Sequence, residues 1–403
     1  MAVSSLSTVA YIYKKNYAGE IVGDLAARKH PFYFKLKKND GFTGRSFDYP
    51  IAVGNPQGIG ANFAAAQAAV NTSQGYQLVA TRKKKYGFIQ LDGESILAAG
   101  DDRGAFVKLV RNETDRQIEE FGDHLAFDLY RDGGGVRGVR LSIAGNIVTL
   151  TTAGDARNFK LGMTVTAGSA ADGSGMRVGT TTVTAVSEQA NTITLANAAS
   201  IAAFANADFL WASGDQPVSG NQCVNGLAAH LPLTAPTAGD SFNSIDRSAD
   251  PVRLAGVRIN NTANYLEENI YDACVQIYDI GKTADTAFAN PVAFGQMVKR
   301  LNAKVMYTEA GGTVKAYFRY INLDTPAGLI EVYPDPDCPR NRSYVTKMDT
   351  WFLKHVGGAP HIIMDDDLRS LRTSNADSIE SRTRFLGDLI CKEPGSNAVI
   401  AVA

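Results

Sequence analysis

The chain has 403 residues, with 40 Lys plus Arg against 41 Asp plus Glu, a net charge of −1. That balance supplies no bulk basic surface for holding nucleic acid, and no apolar run reaches the roughly 18 to 20 residues of a membrane span. The four cysteines, Cys223, Cys274, Cys338 and Cys391, form no CxxC pair, so a reduced chain without structural disulfide or zinc is expected.

From the N-terminus, MAVSSLSTVAYIYKK lacks basic residues ahead of its short apolar part and is not expected to act as a signal peptide. Leu6 to Arg28 carries Val9, Ile12, Tyr13, Tyr17, Ile21 and Leu25 on one helical side. Gly19 and Gly23 weaken that helix by about 1 kcal/mol each, so it reads as an arm lying on something else. His30-Pro31 is expected to end it, and Phe32 to Leu36 to begin an extended stretch. Phe47 to Val53 alternates as a strand. Gly54 to Gly75 is Gly-, Ala-, Asn- and Gln-rich with few apolar anchors, too few to hold itself in place. Tyr76 to Leu91 is expected to return as the partner strand. Together they form a long two-stranded excursion that needs another surface to rest on. The basic run Arg82, Lys83, Lys84, Lys85 lies on it, where it either blocks edge aggregation or meets an acidic neighbour.

Arg103 to Arg131 is the most regular stretch. Val107, Val110, Thr114, Ile118, Phe121, Leu125 and Leu129 recur at spacings of three and four, one face of a helix roughly 40 Å long. Lys108, Arg111, Asp115, Arg116, Glu119, Glu120 and Asp123 fall largely on the other faces. Asp101 and Asp102 suit its N-terminus, and Gly133-Gly134-Gly135 is expected to stop it. A helix of this length reads as a spine on which other elements lean.

Residues 139 to 213 change character: NIVTLT, MTVTAG, TTTVTAV and NTITLA are short β-branched strands between turn residues. They predict a small all-β module inserted after the glycine run. A turn-rich bridge leads to Pro251. Ala263 to Ile280 is helical, 283–291 carries a short strand to Asn290-Pro291, and Pro291 to Leu301 is a helix begun by proline. Strands are expected around Val314–Ile321 and Leu329–Tyr333. Lys347 to His355 fits strand or helix. Thr383–Cys391 and Ala398–Ala403 close the chain as strands. The class is α+β.

Chemistry finds little footing. Gly133 to Gly138 follows a helix, whereas a phosphate loop precedes one. Asp365-Asp366-Asp367 lacks the alternation of a calcium loop. His30, His124, His230, His355 and His361 show no HxxxH or HExxH spacing, and no GxSxG elbow occurs. No enzyme activity, cofactor or metal is expected.

The ordered set of parts resembles a tailed-bacteriophage major capsid protein of the Hong Kong 97-like fold. The matching pieces are the arm, the extended loop, the helix GAFVKLV…FGDHLAFDLYRDGGGVRG and the bridge NSIDRSADPVRLAGVRI. The helix YLEENIYDACVQIYDIG, the strand-to-Asn-Pro-to-helix step TADTAFANPVAFGQMVKRL and the close SRTRFLGDLICKEPGSNAVI complete the set. The resemblance implies an arm (1–40), an extended loop (41–95) and a spine-helix peripheral domain (96–138). A β-rich insertion domain (139–213), a peripheral continuation (214–254), an axial domain (255–368) and returning peripheral strands (369–403) follow.

The same resemblance implies self-assembly as pentamers and hexamers into an icosahedral shell in the virion, built in the host cytoplasm around double-stranded DNA held non-specifically. A separate scaffolding protein, a portal and a decoration protein are the further partners. Some relatives join subunits by a lysine–asparagine isopeptide bond. Lys83, Lys84 and Lys85 lie on the corresponding loop, but no matching asparagine and glutamate are found, so cross-linking is not expected. The bottom-up contact expected between subunits pairs Arg82, Lys83, Lys84 and Lys85 with Asp115, Glu119, Glu120 and Asp123 of a neighbour's spine helix. Alternatives are an encapsulin-like cellular nanocompartment and, in another class, a glycan-binding adhesin using the β module, where Trp211 is the one tryptophan platform.

Overall fold

The computed structural model describes residues 30–42, 44–92, 94, 103–217, 222–301, 320–358, 360–363, 371–372 and 377–402. The expected N-terminal arm helix, the Asp101–Asp102 cap and the Asp365–Asp367 run lie outside them.

The long helix forms over Arg103–Asp128. Its apolar side sinks into the largest core through Phe121, Leu125, Ala126, Leu129 and Tyr130. Gly87, on the neighbouring strand, lets it approach: a methyl group there would sit 2.9 Å from both Gln117 Nε2 and a Phe121 ring carbon. The glycine run is not its cap. The helix stops at Asp128, ahead of Gly133, and its last carbonyls are met by a different segment. Leu227 N–H donates to Leu129 O at 2.7 Å, and Gly226 lies so close to the Asp128 and Leu129 carbonyls that a side chain would collide. The glycines instead turn the chain into the next strand, with φ of +85° at Gly133 and +71° at Gly135.

Two six-stranded sheets share this core. In the first, Ser378–Cys391 is the central strand, antiparallel to Trp351–His355 on one side and to Lys83–Asp92 on the other. Lys37–Asp40 adds in parallel to Trp351–His355. The second runs in the order Val257–Ile259, Ala398–Ala401, Arg342–Thr346, Thr286–Ala289, Gly328–Pro334, Ile321–Thr325. Helices Leu266–Asp279 and Pro291–Leu301 cover it through Leu266, Ile270, Ile277, Phe294 and Met297. The boundaries expected at 255–368 and 369–403 do not coincide with these sheets. Trp351–His355 belongs to the first, and the final strand Ala398–Ala401 crosses to the second, parallel to Val257–Ile259.

Residues 136–212 close a six-stranded barrel in the order Phe209–Ala212, Val136–Ala144, Ile147–Leu150, Thr192–Leu195, Thr181–Ser187, Thr164–Gly168. Its interior is Val148, Leu150, Phe159, Val165, Val183, Ile193, Leu195 and Leu210. The barrel starts at Val136, ahead of the expected 139, because Val136 and Gly138 pair with Trp211 and Leu210 to shut the cylinder.

Three local expectations change. Phe32–Leu36 is not extended: Pro31–Lys35 is a helix, with proline at its first turn. The Phe32 amide donates to Asp335 Oδ2 at 3.1 Å, which caps it from across the fold. Tyr76–Leu91 is two strands rather than one. Gln74–Thr81 pairs with Ser46–Gly54 to make the excursion, whereas Lys83–Asp92 leaves it and joins the first sheet. Lys347–His355 is a 3-10 turn, Met348–Thr350, followed by a strand. The strand expected around Val314–Ile321 falls mostly on residues 302–319, outside the described part, and the described chain resumes with the strand Ile321–Thr325.

Candidate functional site

The three lysines of the basic run lie on Lys83–Asp92, facing Gly387, Leu386 and Phe385 across the ladder, with Arg82 just ahead of the strand. The run therefore sits on a supported strand, and its members diverge. Lys84 is exposed, while Lys85 points inward against the end of the long helix. Its Nζ lies 2.5 Å from Asp128 Oδ2 and 3.5 Å from Asp215 Oδ2. Burial opposes the charged lysine, but the two carboxylates outweigh it and raise its pKa. Around one ammonium the two acids then separate. Complete burial raises Asp128, whereas Asp215, buried too, is drawn down by Lys85, Arg137 and His124.

The network continues along the helix. Arg137 Nη2 donates to His124 Nδ1 at 2.7 Å, which leaves the His124 Nε2 proton for Glu120 Oε1 at 3.1 Å. Burial, Arg137 and Lys85 lower the His124 pKa, in keeping with a neutral ring that accepts at one nitrogen and donates at the other. Lys160, from the barrel, bonds Glu120 and lies 2.7 Å from Asp123 Oδ2. Burial works against the carboxylates Glu120 and Asp123, but His124 and Lys160 for the first, and His30 and Lys160 for the second, bring both to about 2.

His30 closes the chain of charges. Its Nε2 is 3.0 Å from Asp123 Oδ1, and its Nδ1 bonds Asp337 Oδ2. Both ring nitrogens face carboxylates, which requires the doubly protonated ring. Desolvation works against that charge, and the two aspartates overcome it, raising the pKa to about 9. Beside it Asp335 accepts from Tyr130 Oη at 2.8 Å and from the Asp337 amide at 2.9 Å. Burial and the charge of Asp337 push Asp335 up to about 6. Lys85, the long helix, the barrel, the segment around Asp215, the chain entering at His30 and the loop at 335–337 are thus joined by one run of ion pairs. It is built to hold parts together. Among the described residues no group of three or more His, Cys, Asp or Glu is placed to hold a metal ion.

Of the eight residues expected to meet across subunits, Lys85, Glu120 and Asp123 thus have partners in their own chain. Lys83 stands near the fully buried Asp388, and Arg82 is half-buried. Lys84, Asp115 and Glu119 are exposed. The sequence contains no local sign of the network, because Lys160, Asp215, His30, Asp335 and Asp337 come from distant segments. Trp211 is not a ligand platform: it is fully buried, and its indole N–H donates to Gly134 O at 2.9 Å. The four cysteines are buried free thiols.

The excursion is exposed where the sequence is poorest in anchors. Helix Phe63–Ala68, capped by the Asn62 side chain, forms its tip, and Ile59 and Phe63 are each 83% exposed and Val70 70%. Its base is anchored: Ile51, Leu78 and Ala80 pack with Ile245, Leu254, Phe352 and Ile390.

No family profile and no curated protein matches the chain. Solved structures do. A chain of the cyanophage A-1(L) capsid asymmetric unit matches with a TM-score of 0.57 at 11% identity, covering 97% of each chain. A Mycobacterium phage Ogopogo chain matches at 0.46 and 10% identity, covering 98% of this chain and 99% of its own. The holo-SrpI encapsulin complex of Synechococcus elongatus matches at 0.46 and 8%, covering 100% and 96%. The cyanophage comparison shows that this chain has the fold of a capsid protein.

Proposed function

We propose that the chain is a major capsid protein of the Hong Kong 97-like class, the repeating subunit of a phage head, with the barrel as an insertion domain. The observation that carries this reading is the fold shared over 97% of both chains with a subunit of the cyanophage A-1(L) capsid. The excursion supports it. Its base is packed into its own subunit, while Ile59, Phe63 and Val70 stand in solvent. A tip with so much uncovered apolar surface gains stability when another surface covers it.

In this reading the subunits group as pentamers and hexamers into an icosahedral shell enclosing double-stranded DNA, held non-specifically. A separate scaffolding protein, a portal and a decoration protein complete the particle. The ionic junction makes each subunit rigid, and the tip and Lys84 reach a neighbour, with Asp115 and Glu119 of the neighbour's long helix as charged counterparts. Each exposed pair contributes only about 0–1 kcal/mol, but a closed shell repeats it at every subunit.

The test is electron microscopy of the full chain coexpressed with its neighbouring open reading frames. Closed shells that take up nucleic acid are expected. Monomers under all conditions would overturn the reading, and shells filled with one specific protein would favour a nanocompartment.

A further inference from the structure

Helix Leu266–Asp279 lays one side on the second sheet through Leu266, Ile270, Ala273, Cys274 and Ile277. Its outer side is not the polar face that a covering helix ordinarily turns to water. Tyr271, Val275 and Tyr278 are 47%, 40% and 56% exposed. Spacings of four and three place them in one stripe along the helix. Beside the stripe the surface dips into a groove of about 320 Å³ between the helix and strand Val257–Ile259, lined by Ile259, Asn260, Asp272, Val275 and Gln276 among others.

The charges on this helix are one-sided. It carries Glu267, Glu268, Asp272 and Asp279 and no lysine or arginine. Glu268 and Asp272 are exposed like charges one turn apart, and Asp279 stands in the last turn, where the helix dipole favours a cation. Among the described residues only Glu267 of the four has an ion-pair partner, Arg300. The cations nearby are committed elsewhere. Arg300 also stacks on Tyr265, 3.9 Å from its centroid. Arg258 donates to the carbonyls of Pro232, Pro251 and Ala255, and Lys282 pairs with Glu393. Such a charge pattern weakens a helix standing alone, and a cationic surface laid against it relieves the repulsion.

We propose that this face is the docking site of a basic amphipathic helix carried by another protein. The incoming helix would lay its apolar side chains on Tyr271, Val275 and Tyr278, with one of them entering the groove beside Val275, and its lysines or arginines would meet Glu268, Asp272 and Asp279. A second copy of this chain fits the face less well, because its described helices offer no apolar stripe flanked by cations. Pro291–Leu301 buries Ala293, Phe294 and Met297 and has bases only in its last turn, and Arg103–Asp128 mixes both signs. The contact belongs to the single subunit, so it goes beyond the shell reading and neither stands nor falls with it.

The experiment is fluorescence anisotropy of a fluorescein-labelled synthetic peptide titrated with the full chain. The peptide repeats leucine at i, i+3, i+4 and i+7 and carries lysine on its other faces. One control peptide has glutamate in place of lysine, and a second has the same composition in scrambled order. Saturable one-to-one binding of the patterned lysine peptide is expected, weakening as salt rises. Asp272→Lys, and the pair Tyr271→Ser with Val275→Ser, should each weaken it tenfold or more. Glu188→Lys, at an exposed acid of the barrel, should leave it unchanged. Should the serine pair fail to fold by circular dichroism, Tyr278→Ser serves in its place with the same expected loss. No saturable binding, equal binding of either control peptide, or equal binding by wild type and the face variants overturns the proposal. Sedimentation that shows the chain self-associating, with the serine pair abolishing that association, also overturns it and gives the face to a second copy.

Discussion

Lys85 Nζ lies 2.5 Å from Asp128 Oδ2, which fastens the edge strand of the first sheet to the last turn of the long helix. Both partners are buried, and Asp215 adds a second carboxylate at 3.5 Å. Breaking one partner of a buried pair strands the other charge and typically costs about 3–5 kcal/mol. Lys85→Ala should therefore lower the urea midpoint of the isolated subunit strongly. Lys84→Ala, one residue away but exposed, should change stability by no more than about 0.5 kcal/mol. Equal effects of the two would show that the inward placement of Lys85 is wrong.

The junction also sets a pH dependence. His30, with a folded pKa of about 9 against 6.5, contributes stability fully present below 6.5 and lost as pH rises through 9. Asp335, at about 6, and Asp388, pushed by burial to about 7, each from 3.8, contribute stability present below 3.8 and lost as pH rises through those values. Glu120 and Asp123, lowered to about 2, act oppositely: their contribution is present above about 4.5 and falls away as pH drops towards 2. Subunit stability should thus peak in mildly acid solution and decline towards pH 9. His30→Gln should flatten the limb between pH 6.5 and 9, and Asp388→Asn the limb between 4 and 7. Urea melts at half-unit pH intervals measure this, and a profile that climbs steadily to pH 9 would contradict it.

The excursion should matter for assembly and little for folding. Its tip, including Phe63–Ala68, buries almost nothing in its own chain, so ordering it gains too little to offset the entropy lost. Replacing residues 56–74 by a short Gly-Ser turn is expected to leave a soluble subunit with an unchanged melting temperature that does not form shells. Lys84→Glu is expected to make assembly weaker and salt-dependent. Normal particles from both variants in negative stain would remove the excursion from the assembly contact.

The barrel should fold on its own, provided it is cut in the right place. Residues 136–213 keep the pairing of Val136 and Gly138 with Trp211 and Leu210 and should give a soluble β-rich domain with a cooperative melt. A fragment of 139–213 lacks those pairs and should be less stable by about 1–2 kcal/mol. A random-coil circular dichroism spectrum from 136–213 would show that the barrel depends on the body.

Local patterns carried much of this architecture. The three-four spacing through Phe121, Leu125 and Leu129 gave the long helix, and Pro291 marked the start of Pro291–Leu301. The β-branched runs after Gly145 mapped onto barrel strands, although closure was invisible because it depends on Trp211 returning to Val136. What stayed hidden depends on distant partners. Phe32 looks like a strand residue until Asp335, far along the chain, caps its amide. Lys85 looks like one more surface lysine in a basic run, yet strand alternation turns it inward towards Asp128, and only the fold supplies that acid. His30 could not be singled out, since its two carboxylates arrive from opposite halves of the sequence.

Because Phe209–Ala212 hydrogen-bonds to both Val136–Ala144 and Thr164–Gly168, the barrel closes on itself. Open sheets expose a row of unpaired amides and carbonyls that can recruit a strand from another molecule. A closed cylinder offers no such template. Many copies can therefore be crowded at very high local concentration without exchanging strands or seeding fibrils, which lets the barrel's outward side chains vary freely without a growing risk of aggregation.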